Sequence, residues 1–198
     1  MSDGAPSRRQ IVLSAILFEG GLGLLGLLLG TLLARPPLEQ IMFDPADAAL
    51  GVAASLPLML ALVVVMRYPL GPLKDLRKLV DELLVPMFRS CGVFDLAVIA
   101  VMAGIGEELL FRGLVQQAIT ERFGPLLGLA SASILFGLAH PIMRTYAILA
   151  GLIGLYLGAL LLRTENLLVP IIVHASYDFF ALVYLVRWQP PLPPLDQA

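Results

Sequence analysis

From Ala48 to Met66 no side chain carries a charge. A run of that length approaches the roughly 20 apolar residues that a helix needs to cross a bilayer. Further apolar runs occupy residues 11–33, 93–119, 125–140, 146–162 and 167–186. In hydrocarbon the backbone N–H and C=O groups have no water to bond, so each run must satisfy its own polar groups as a helix. Composition agrees, because 59% of the 198 residues are hydrophobic and 14% charged, against about 25% charged in an ordinary soluble domain. The expected fold is an all-α, polytopic membrane helix bundle of about six transmembrane helices.

The first run follows Arg8 and Arg9 as a signal peptide would, but it exceeds an h-region of about 7–15 residues. It is read as a retained span, with Glu19 its one charge. Over residues 73–89, Leu73, Leu76, Leu79, Val80, Leu83 and Leu84 recur at helical spacing. Lys74, Asp75, Arg77, Lys78, Asp81 and Glu82 lie between them, the pattern of an amphipathic helix in the membrane interface. The expected organisation is one membrane domain in three stretches. Residues 1–92 hold two spans and the amphipathic helix in a packing role, 93–187 form the chemical core, and 188–198 a proline-rich extended tail.

Basic residues in short loops set orientation. With six spans, Arg8, Arg9, Arg67, Lys74, Arg77, Lys78, Arg89, Arg144 and Arg187 share one side, and Arg35, Arg122 and Arg163 the other. Both termini are therefore expected in the cytoplasm, with the protein in a bacterial inner membrane among lipids. A net charge of −2 leaves no basic face for nucleic acid. A single cysteine, Cys91, permits no intrachain disulfide. Gly23, Gly26 and Gly30 fall on one stripe of the first span, and Ala147, Gly151, Gly154 and Gly158 on one stripe of the fifth. Such stripes let membrane helices approach closely and are read as packing surfaces.

Ionisable residues inside a span cost several kcal/mol unless paired or hydrated, and so call for a reason. Glu107, Glu108 and Arg112 crowd the third run. Glu108 and Arg112 are spaced i,i+4, within about 40° around the axis, and can pair on their own helix. Glu107 is rotated about 100° away and has no basic residue at i±3 or i±4. Its partner must be another helix, water or a proton. The chain has two histidines, His140 and His174, both in or beside apolar runs, and His174 is spaced i,i+4 from Asp178.

The order Glu107-Glu108-Leu-Leu-Phe-Arg112, Phe136-Gly-Leu-Ala-His140 and His174-Ala-Ser-Tyr-Asp178 on successive helices resembles the CPBP family. That family includes type II CAAX prenyl endopeptidases and bacteriocin-processing and abortive-infection proteins. The resemblance covers residues 93–186 and departs at Asp178, where eukaryotic CAAX enzymes carry Asn. It implies an intramembrane endopeptidase with Glu107, Glu108, Arg112, His140, His174 and Asp178 in the catalytic site, and Phe111, Phe136 and Tyr177 against a peptide or membrane-protein substrate. Peptide hydrolysis needs an activated water and a stabilised oxyanion. Glu107 is the better general base, His140 can share the water, and His174 with Asp178 can hold the tetrahedral intermediate. Two mechanisms stay open. One is metal-free glutamate catalysis, the favoured reading. The other is a Zn²⁺ site built from Glu107, His140 and His174, a known ligand type, although no His-Glu-x-x-His is present. A proton-coupled transporter or relay, and a catalytically silent immunity or binding protein, are the rival functions.

Overall fold

The computed structural model describes residues 6–189, and among them no residue is in a β-strand. Helix α1 (Arg8–Leu32) opens on a capping box: Ser7 Oγ accepts from the Gln10 N–H, and Gln10 Oε1 accepts from the Ser7 N–H at 2.8 Å. Helix α2 (Pro45–Arg67) begins with proline at its first position, and the Asp44 carboxylate accepts from the Ala46 N–H at 2.6 Å. Helix α3 runs as Leu73–Leu79, a π-helical turn Val80–Leu84, then Val85–Phe88. Helix α4 is continuous through Val93–Glu108, the π-helical stretch Leu109–Gln116 and Gln117–Phe123. Gly124 then turns the chain at φ +91°, a backbone conformation suited to glycine. Helices α5 (Pro125–Leu138), α6 (Arg144–Thr164) and α7 (Leu168–Trp188) complete the bundle.

By length and composition α1, α2, α6 and α7 can each cross a membrane. The fourth expected span, α5, has 14 residues, about 21 Å of helix against a core of about 30 Å. The third, α4, is the helix that carries the buried charges.

Polar contacts fix both ends of the bundle. At one end Arg8 donates to both Asp95 oxygens, at 2.6 and 2.9 Å, and Asp95 caps the Gly92 N–H at 2.6 Å. Arg187 donates to the carbonyls of Arg89 and Cys91 there. The start of α1, the start of α4 and the end of α7 therefore lie together, as an even number of crossings requires. At the other end Arg35 pairs with Glu121 at 2.6 Å. Buried Asn166 there accepts from the Met42 N–H at 3.0 Å, and donates to the Met42 carbonyl and Asp47 at 2.8 Å each.

The amphipathic segment differs from expectation in one residue. Arg77, placed by the pattern among the polar positions, is 2% exposed. Its guanidinium donates to the Met66 carbonyl at 2.5 Å and to Asp81 at 2.8 Å. Carbonyls in a helix's last turn have no partner within the helix, and Arg77 supplies one to α2. Leu76 and Val80 pack beside it against Met66, Tyr184 and Leu185. The expected tail falls almost entirely outside the described residues.

The glycine stripes are packing surfaces. A Cβ on Gly26 would lie 3.0 Å from the backbone of Leu110, and one on Gly137 would meet the Ala147 carbonyl at 2.6 Å. On α4, a Cβ on Gly104 would come within 2.8 Å of the Ala175 amide nitrogen. These contacts bring α1 and α7 against α4 at the level of the charged residues.

Candidate active site

Glu107 and Glu108 end the α-helical part of α4, and Arg112 lies in the π-helical stretch that follows. Insertions of this kind re-aim side chains and recur at functional sites. Arg112 Nη1 donates to Glu108 Oε1 at 2.7 Å, both side chains being fully buried. The Arg112 guanidinium also covers the Phe136 ring, 4.2 Å from its centroid, a cation–π contact that is stronger for being desolvated. Gly154 makes room for it, since a Cβ there would stand 3.0 Å from Arg112 Nη2.

From α7, His174 Nδ1 reaches the same Glu108 oxygen at 2.8 Å. A carboxylate accepts, so this nitrogen carries the hydrogen. Glu108 thus joins Arg112 on its own helix to His174 on another. His174 Nε2 faces the Asp178 carboxylate at 3.5 Å, beyond a good hydrogen bond.

His140 follows the C-terminus of α5. Its Nδ1 lies 2.8 Å from the Phe136 carbonyl, which can only accept, so Nδ1–H donates and the neutral ring presents Nε2 as an acceptor. That Nε2 stands 3.9 Å from Glu107 Oε2. Glu107 is 8% exposed, and its Oε2 is buried without a hydrogen-bond partner. The gap is too long for a direct bond and suits a bridging water. The shortness of α5 is what brings His140 to this depth, because a longer helix would carry it past Glu107.

The group has a closed back and an open front. Glu108 and Arg112 are sealed, whereas the His140 and Asp178 side chains are 21% and 30% exposed. The six residues expected in the catalytic site therefore meet as two linked pairings, Arg112–Glu108–His174–Asp178 and Glu107–His140. Phe136 sits at their centre, its ring 4.8 Å from His140, 6.0 Å from His174 and 5.1 Å from Phe111. Tyr177 is half-buried beside Asp178. Among the described residues no three His, Cys, Asp or Glu side chains are arranged to hold a metal ion. His174 faces a carboxylate with each ring nitrogen, so Glu107, His140 and His174 do not stand as a three-ligand set.

The sequence reading left two neighbours outside the site. Tyr146 packs edge-on against His140 at 5.6 Å. Glu19 of α1 has a half-buried side chain whose Oε2 is buried and unpartnered, and it interacts electrostatically with Glu107, His174 and Asp178. Its signal was visible as the one charge in an otherwise apolar span.

A helical membrane bundle with a buried glutamate–arginine–histidine network defines the class. A family model, Type II CAAX prenyl endopeptidase Rce1-like, matches residues 89–180, which contain all six residues of the network. Over this region, just under half of the chain, the protein is similar to a family of CAAX-type intramembrane proteases, and its long apolar helices are those of an integral membrane protein. No curated protein and no solved structure matches the chain.

Proposed function

We propose that this protein is an intramembrane endopeptidase that hydrolyses a peptide bond with water activated by Glu107 and His140. The observation that carries the reading is the unpartnered Glu107 Oε2, buried and 3.9 Å from an imidazole nitrogen that accepts when the ring is neutral. Water between them donates one hydrogen to each, and its oxygen is left to attack a carbonyl. Glu107 takes the proton and returns it to the leaving amine. As an imidazolium, His174 donates Nδ1–H to Glu108 and turns Nε2–H toward the open front, where it meets the developing oxyanion in competition with Asp178. Glu108 and Arg112 neutralise each other and hold α4 and α7 in register.

Catalysis in this scheme uses no metal. All of its residues lie within 93–187, which we take as the catalytic core, with 1–92 supporting it. The substrate is a peptide or membrane protein that reaches the site within the bilayer. The excess of basic residues expected on the Arg8 side supports a cytoplasmic location for that side and for both termini, which we take to be that of a bacterial cell. The test is a comparison of membrane-protein fragments in cells expressing the wild type or Glu107→Gln. Fragments that vanish in the variant identify the substrate, and identical fragment patterns refute the assignment.

A further inference from the structure

The charges around the open front do not balance. Arg112 is consumed by Glu108. Among the described residues no lysine or arginine is ion-paired with Glu19, Glu107 or Asp178. These three acids come from α1, α4 and α7, and the cationic capacity near them is His174, His140 and, for Glu107, the Arg112 that already pairs with Glu108. Glu107 is more than nine-tenths buried with Oε2 unpartnered, and Glu19 Oε2 is likewise buried and unpartnered. Uncompensated carboxylates at this depth are costly, and a cation brought by the ligand relieves the cost.

Glu19 is held in place by backbone packing. Its carbonyl lies against Gly106, where any Cβ would collide with it, so the α1 backbone passes directly beside the residue preceding Glu107. The contact fixes Glu19 at the level of the reacting atoms. Its neighbours Leu17 and Phe18 are 74% and 65% exposed and face lipid. Glu19 therefore stands where a segment entering from the bilayer would pass.

We propose that Glu19 is a specificity-determining residue which, with Asp178, selects an apolar membrane peptide carrying a lysine or arginine next to the scissile bond. The basic side chain extends past the open front and pairs with Glu19, while its backbone lies over Glu107 and His140. This rests on the hydrolytic reading of the site, and it makes α1 part of the substrate path.

Binding tests the idea independently of cleavage. Full-length protein in nanodiscs of neutral lipid is titrated with a fluorescent apolar peptide carrying one central lysine, and with its norleucine counterpart. The lysine peptide should bind the wild type about tenfold more tightly, a 1.4 kcal/mol preference by the affinity relation. Glu19→Gln should abolish the preference and Glu19→Asp largely restore it, which a merely structural role for Glu19 would not produce. Equal binding of both peptides by the wild type overturns the inference, as does a preference that survives Glu19→Gln. Lysine-selective, Glu19-dependent binding without Glu107-dependent cleavage supports this inference and refutes the hydrolytic reading instead.

Discussion

Glu108→Gln separates the network's structural role from its chemistry. Glu108 and Arg112 have fully buried side chains 2.7 Å apart, and Arg112 Nε and Nη2 have no other hydrogen-bond partner. The amide keeps the shape, and its oxygen can still accept from His174, but the guanidinium loses its counter-charge. Removing one member of a buried ion pair costs about 3–5 kcal/mol. At about 2–4 °C per kcal/mol for a chain of this size, the melting temperature should fall by roughly 6–20 °C. The Phe136 ring beneath Arg112 keeps the loss toward the lower end of that range. Thermal unfolding in detergent, followed by tryptophan fluorescence, measures it. Glu108→Gln combined with Arg112→Met removes both charges and should recover most of the lost stability, since replacing a whole buried pair is often neutral. A double variant as unstable as the sum of the two singles would refute the reasoning, because the residues would then act independently.

Gly104→Val should prevent α4 and α7 from closing, since even a Cβ would lie 2.8 Å from the Ala175 amide nitrogen; loss of both folded yield and activity checks this. In a Cys91→Ala background, single cysteines at positions 3 and 196 should both label from the cytoplasmic side, and labelling from opposite sides would contradict the even number of crossings. Cys91 itself is fully buried, so a maleimide should modify it only after denaturation. Prolonged chelation of the purified protein should leave hydrolysis unchanged; activity lost to the chelator and restored by Zn²⁺ would establish a metal mechanism.

Interactions within one helix were the legible part of the site. Glu108 with Arg112, and His174 with Asp178, follow from i,i+4 spacing alone, and the isolation of Glu107 on its own helix follows from the same geometry. Which histidine meets Glu107, and the bond from His174 to Glu108, depend on how α4, α5 and α7 pack, which helical periodicity does not encode. The π-helical stretch Leu109–Gln116 likewise has no signature in the pattern of apolar residues. The apolar run over residues 125–140 did not show how deep His140 sits, which the 14-residue length of α5 sets. Glu19 was conspicuous as a lone charge, but the charged groups it stands near lie far along the chain. Arg77 was assigned to the polar face because amphipathic spacing carries no information about the orphan carbonyl at the end of α2.

The central claim is that Glu107 activates the hydrolytic water. Its most direct test is the single-turnover cleavage rate of one substrate peptide by purified wild type and Glu107→Gln, both in neutral-lipid nanodiscs with chelator present. The variant should bind peptide and melt as the wild type does, yet cleave about 10²–10⁴-fold more slowly, the usual contribution of a positioned general base. Cleavage at the wild-type rate by Glu107→Gln would contradict the account.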